Sequence, residues 1–235
     1  MIIAIDGTSG SGKSTLAKKI AQTLNFGFFS AGALYRAIAV KVMSQQIDPS
    51  DDEKLKEMID NTNIIYTYDG VKNVMILDGV DVTDKLYTEA ASNNSAVTAQ
   101  KPFIREFVRK LQRDTANHNE NIVMEGRDIG SVIFPNADFK LFVDCKIEER
   151  ARRRLGDYRE LGDNVPLEKV IEDLKERDYK DSHREISPLV MSENAFLIDT
   201  TKRNIEECLV AVLKEMKRRG LIGEEIEEKL NIDLD

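Results

Sequence analysis

Histidine and cysteine are scarce in this chain: two of each among 235 residues, His118, His183, Cys145 and Cys208. None of the four sits at metal-ligand spacing, which argues against a zinc site. Two isolated cysteines read as buried filler in a reducing compartment. Long apolar runs are missing too. No stretch approaches the ~18 residues of a membrane span, and the opening Met-Ile-Ile-Ala-Ile-Asp is short and lacks the basic flank of a secretory signal. There is no basic excess either. The net charge of -8 speaks against a face built for nucleic acid. The expectation is a cytoplasmic protein with no membrane or nucleic-acid partner.

What is present fits one decorated domain. The chain is 41% hydrophobic and 32% charged, enough to bury one sizeable core under a well-solvated surface. Ile2 to Ile5 reads as a strand buried on both faces, followed by a Gly-rich loop and a helix over Lys13 to Leu24. A second helix is expected from Gly32 to Ser44. Ile64 to Tyr68 and Val74 to Leu77 are β-rich runs broken by Asp69-Gly70 and Asp78-Gly79, the pattern of a small antiparallel insert. Pro102 opens a helix to Asn117. Ile122 to Met124, Phe139 to Val143 and Ala195 to Ile198 read as further core strands. Helices are expected from Lys146, from Pro166 to Lys180, and along Ile205, Leu209, Val212 and Met216, with Gly220 at the end. Strands alternating with helices imply a parallel sheet flanked by helices. The expected layout is a core (1–61, 100–149 and 164–220), an insert (62–99), a lid (150–163) and an acidic tail (221–235).

Gly7-Thr8-Ser9-Gly10-Ser11-Gly12-Lys13-Ser14, followed by Thr15, fits the phosphate-loop pattern. Glycines let successive backbone N–H groups turn inward around an anion, and the helix that begins there adds its positive end. Lys13 can reach the β- and γ-phosphates, and Ser14 can ligate Mg²⁺. Lys13 reads as a ligand contact rather than as core.

Arginine is concentrated: 11 of 15 lie between Arg105 and Arg184. Guanidinium groups grip phosphate bidentately and stay charged, as in-line phosphoryl transfer requires. Four places stand out. Arg36 lies one turn into a helix. Glu125-Gly126-Arg127-Asp128 follows a core strand, where ligands of open parallel sheets sit. Arg150, Arg152, Arg153 and Arg154 form a run suited to a mobile lid. Arg177, Asp181 and Arg184 share a helix face or lie two turns apart. His118 and His183 read as surface or capping residues. A site rich in Arg and poor in His suits an acceptor that is already an anion near pH 7 and needs no general base.

Taken in order, the phosphate loop, Gly32-Ala33-Leu34-Tyr35-Arg36, the insert, Gly126-Arg127-Asp128, the Arg lid and Glu176-Arg177-Asp178 resemble bacterial cytidylate kinases over nearly the whole chain. The resemblance implies a P-loop NTPase-type α/β fold with a monophosphate-binding insert, and transfer from ATP to CMP or dCMP with Mg²⁺. Gly7 to Thr15 would bind ATP phosphates and magnesium. Lys13, Arg36, Arg127, Arg153 and Arg184 would serve the transfer. Arg36, Arg127 and Arg184 would face the monophosphate, and Asp128 and Arg177 the ribose side. Arg105, Asp181 and Ser95 would read cytosine. Arg150, Arg153 and Arg154 would close over the donor, and Glu125 would orient a magnesium-bound water. Two positions depart from the pattern. Ala31 stands where the family usually carries Ser or Thr, which puts the sugar contact in question, and Ser95 lies one residue further from Pro102 than expected. A monomer is expected. Two other readings share the loop: a kinase for a hydroxyl acceptor with Asp128 as base, and a nucleotide switch without turnover.

Overall fold

Ile3, Ile5 and Ala4 point to opposite faces of one strand, and all three are buried. That is the signature of a central strand covered on both sides. The computed structural model describes residues 1–68, 73–160 and 165–226. The chain divides into two units, residues 1–26 with 123–235, and residues 27–122.

The first unit is built on β1 (Ile2–Gly7), β6 (Ile122–Glu125, entered at its second residue), β7 (Phe139–Asp144) and β8 (Phe196–Asp199). They lie side by side in the order β6-β1-β7-β8. β1 pairs with β7 in parallel, Ile5 opposite Leu141, and β7 pairs with β8 in parallel, Val143 opposite Ile198. Phe139, Leu141 and Val143 are as buried as β1. Helix α1 (Lys13–Leu24) covers the sheet with Leu16, Ala17 and Ile20 and ends at Asn25 in the left-handed conformation. Helix α8 (Ile205–Arg218) starts on a capping box, in which Asn204 and Glu207 satisfy each other's backbone N–H. It buries Cys208, Leu209, Val212, Leu213 and Met216, the face that its periodicity predicts. Gly220 follows with φ 71°. Helices α6 (Ile147–Glu160) and α7 (Leu167–His183) pack together around Ala151, Val170 and Leu174. α7 runs three residues past the expected end at Lys180. A wide π-helical turn over Ile129–Ile133 was not expected from the sequence.

The second unit opens with β2 (Gly27–Ser30), a four-residue strand absent from the sequence reading. Helix α2 (Ala31–Ser44) follows, with the Ser30 hydroxyl accepting the Ala33 N–H at 3.3 Å. The insert is a sheet of β3 (Ile64–Tyr68), β4 (Asn73–Leu77) and β5 (Val80–Asp81). β3 and β4 are antiparallel, with Ile64 opposite Leu77. Asp78 and Gly79, at φ 50° and 83°, turn β4 into β5, as a two-residue hairpin demands. The expected Asp69-Gly70 turn lies outside the described residues. Phe28 and Phe29 of β2 meet Tyr68 and Tyr66 of β3 at centroid distances of 5.5 and 4.8 Å. Buried Lys41 donates to the Asn61 carbonyl (2.8 Å) and the Thr62 hydroxyl (2.9 Å) and pairs with Asp78 at 2.6 Å. That one ammonium pins α2 to the start of the insert with all three donors used. α3 (Asp52–Asp60) and α4 (Glu89–Thr98) are further elements that the sequence reading lacked, and α5 (Pro102–Asn117) keeps its expected bounds.

Candidate active site

The loop after β1 is shaped by two glycines. A Cβ at Gly7 would run into the Val143 carbonyl of the neighbouring strand. Gly12 sits at φ 83° as the residue before α1, and no side chain caps the helix there. Gly7→Ala is therefore expected to destabilise the fold by more than ~2 kcal/mol through a backbone clash. Denaturant unfolding measures it, and a loss under ~0.5 kcal/mol, the usual size for an innocuous surface change, would contradict the geometry.

The loop's carbonyls are held outward. The Ser11 hydroxyl donates to the Thr8 carbonyl (2.9 Å), the Arg150 guanidinium to that of Ser9 (3.0 Å), and the Thr200 hydroxyl to that of Ser11 (2.8 Å). In a trans peptide the next N–H points the opposite way. Fixing these oxygens turns the amides of Ser9, Gly10 and Gly12 to the other side, as an anion cradle requires. The Thr8 hydroxyl is anchored on Asp144 at 3.1 Å.

Lys13 lies at the end of the loop and is only 6% exposed, so it is both a buried residue and a candidate ligand contact. Its Nζ is 3.1 Å from Glu125 at the end of β6. Burial pushes its pKa down and Arg127 adds to this, while Glu125 opposes. Arg127 donates through Nε to Asp181 at 2.8 Å. Burial would lower the Arg127 pKa, but Asp181 and Glu125 outweigh it and raise it. Asp181 feels the reverse balance: burial works upward, and Arg127, Arg177 and Arg184 hold its carboxyl below the usual range. Arg184 lies 3.9 Å from both Asp128 and Asp181 and donates to the Ser187 carbonyl at 2.6 Å. One unit thus gathers Lys13, Glu125, Arg127, Asp128, Asp181 and Arg184 into a chain of alternating charge.

The arginines expected in the lid behave differently from one another. Arg150 is 5% exposed. Besides Ser9 it binds the Cys145 carbonyl (2.9 Å) and Asp178 (2.7 Å). Arg153 donates to the Thr200 carbonyl at 2.7 Å and to Glu149 at 3.2 Å. Arg154 stacks over Tyr158 at 5.4 Å. Here the expected lid continues α6 through Glu160, and its residues 161–163 lie outside the described residues.

The second unit carries the remaining candidates. Arg36 lies over the Tyr87 ring at 5.3 Å, and Arg105 over Tyr35 at 5.8 Å. Arg105 is buried and donates to the Ala99 carbonyl at 3.2 Å. Buried Ser95 donates to the Ser92 carbonyl at 2.7 Å. The Ser30 hydroxyl, next to Ala31, serves as the helix cap.

The cavities divide in the same way. One of about 390 Å³ beside the first turns of α1 is lined by Ser14, Thr15, Lys18, Lys19, Gln22 and Ile205. A larger one of about 540 Å³ lies among Asp48, Pro49, Ser50, Val97, Gln100 and Lys101, none of them a predicted site residue.

The sequence reading missed Thr200 and Asp144, which shape the loop from strand ends, and Asp6, a charged residue closing an apolar strand just before the loop. Asp6 carried the one signal that could have been read, a carboxylate where the pattern calls for an apolar side chain.

A phosphate loop opening a helix from a buried strand, with arginines on its flank, defines a phosphoryl-transferring α/β enzyme. The comparisons name the family. Residues 3–218 match the cytidylate kinase family. The chain is 42% identical over 216 residues to a cytidylate kinase of Caldanaerobacter subterraneus subsp. tengcongensis, covering 92% of this chain and 94% of that one. It is 38% identical over 220 residues to the cytidylate kinase of Bacillus subtilis, covering 93% and 97%. A solved structure of an uncharacterized protein from Eubacterium ventriosum shares the fold with a TM-score of 0.52 at 16% identity, over 92% of this chain and 98% of that one. The chain belongs to the cytidylate kinase family.

Proposed function

We propose that this protein transfers the γ-phosphoryl group of ATP to CMP and dCMP, releasing ADP and the cytidine diphosphate. The observation that carries this reading is the cluster in which Lys13, Arg127 and Arg184 stand linked through Glu125, Asp181 and Asp128. Cations held in place by the protein's own carboxylates can stabilise charge that develops on the moving phosphoryl group. Both histidines are exposed and bonded to backbone carbonyls, His118 to Asp114 and His183 to Tyr179. A phosphate acceptor, already deprotonated, asks for this arrangement and not for a base.

The amides of the loop and Lys13 hold the donor phosphates, with the cavity beside Thr15 and Ile205 as room for the rest of ATP. Arg36, Arg127 and Arg184 take the acceptor phosphate, Asp128 and Arg177 the sugar, and Arg105, Asp181 and Ser95 the base, following the family pattern. Arg153 and Arg154 approach the donor. The fit to magnesium rests on donor chemistry. Among the described residues no group of three or more His, Cys, Asp or Glu could cage a metal. Ser14 is exposed on the first turn of α1 and offers one hard oxygen to an ion that keeps most of its waters and phosphate ligands. Glu125 would meet that ion through water. Magnesium, when bound, neutralises the β- and γ-phosphate oxygens. Among the described residues no helix is long and apolar enough to cross a membrane.

Coupled ADP release with CMP, dCMP, UMP and AMP tests the proposal. Turnover of the cytidine nucleotides is expected to exceed that of the others by roughly tenfold or more. Equal rates on all four would defeat the cytosine assignment.

A further inference from the structure

We infer that Asp6 is a positioning residue for the reaction: its carboxylate holds the turn that presents Arg127 and Asp128. The inference rests on the acceptor-side reading above. Asp6 is the last side chain of β1 before the phosphate loop and is 2% exposed. Its two oxygens accept the Ile129 and Gly130 N–H groups, each at 2.8 Å, from a segment more than 120 residues away.

The geometry of that segment makes the contact informative. After Asp128 the backbone enters the wide turn, where the Ile133 N–H reaches the Asp128 carbonyl at 3.1 Å and the Phe134 N–H reaches that of Ile129 at 2.7 Å. The first N–H groups of any helical turn lack a partner within it. A nearby Ser or Asn would ordinarily cap them. Here the cap comes from the strand that feeds the phosphate loop. One carboxylate therefore ties together two backbone segments: Gly7 onward, which holds the donor, and Arg127-Asp128, which faces the acceptor. Such alignment is what in-line transfer depends on.

The buried strand by itself would take an apolar side chain; it is the two amides of the turn that ask for an acceptor. The groups facing Asp6 are the two N–H donors, Asp128 and Lys13. Burial, opposed by the donors and by Lys13 and reinforced by Asp128, raises its pKa to about 6. An apolar residue would suit the strand better, and the two amides would then stand unsatisfied.

Asp6→Asn is the test. Asparagine keeps the shape but turns an N–H donor toward one of two N–H donors, so half the cap becomes a repulsion. We expect kcat/KM for CMP to fall roughly tenfold to a hundredfold while KM for ATP stays within about twofold. Unchanged constants for CMP, or a KM for ATP raised more than about fivefold, would overturn the inference. If the variant does not fold, amide hydrogen exchange on the unaltered protein decides. Protection of Ile129 and Gly130 that rises further with CMP supports the role, and exchange at free-peptide rates or indifference to CMP overturns it. Failure of the unaltered enzyme to phosphorylate CMP would instead strike at the acceptor reading.

Discussion

Lys13→Met is expected to lower kcat/KM by roughly a thousandfold, the scale set by loss of a cation that stabilises a transferring phosphoryl group. It is also expected to weaken the fold. Lys13 and Glu125 are both buried and 3.1 Å apart. Removing one partner of a buried pair leaves an uncompensated charge, which costs about 3–5 kcal/mol. Arg127 still stands near Glu125 and offsets part of this, so about 2–3 kcal/mol, just under that scale, is the expected loss. Stability and turnover can be separated. Adding Glu125→Gln to Lys13→Met should recover most of the stability and none of the rate. Steady-state kinetics with denaturant unfolding reads both. A single variant retaining more than about a tenth of the rate would remove Lys13 from the transfer.

Arg127→Gln has the second large effect. The expected fall in kcat/KM for CMP is roughly a hundredfold, for loss of one fixed donor to the reacting phosphate. The pH dependence of stability should change with it. In the unaltered protein Asp181 is held below the ordinary carboxylate range. Its contribution is therefore present above the unfolded pKa of ~3.9 and is lost as pH falls through the lower folded value. Without Arg127 the largest upward influence, burial, meets only Arg177 and Arg184. The Asp181 pKa then rises, and the stability it adds near neutrality shrinks. Melting temperatures from about pH 2 to about pH 6, the range that brackets the lowered folded and the ordinary unfolded carboxylate, should show a smaller gain with rising pH in the variant. Superimposable profiles would mean that the Arg127–Asp181 bond carries little of this balance.

These residues also show what the sequence could and could not convey. The phosphate loop was readable because its chemistry needs glycine, lysine and hydroxyl at fixed spacing. Arg127 and Asp128 were readable because they follow a core strand, and Arg177, Asp181 and Arg184 because helical spacing groups them. Partner choice was not readable. The run around Arg150 reads as lid residues that reach for phosphates, and nothing in it tells that Arg150 is buried on three protein acceptors, because α7 brings Asp178 to it. Lys13 reads as a ligand contact, but only the close approach of β6 reveals its pairing with Glu125. The missed elements have similar causes. β2 is Gly-Phe-Phe-Ser, too short for a periodic signal, and aromatic neighbours in β3 support it. α3 is mostly charged and buries only Leu55, Met58 and Ile59. α4 is rich in Ala, Ser and Asn, which write no clear stripe. The π-helical turn has no sequence code of its own; Asp6 and the Asp128 carbonyl make it.

The outward-tied carbonyls of the phosphate loop have one more consequence. Their donors come from Ser11 itself, from α6 and from the segment after β8. The cradle is braced from three directions by the protein's own hydrogen bonds. The incoming triphosphate then surrenders its own freedom on docking, while the polypeptide has little left to surrender, and more of the contact enthalpy survives as grip.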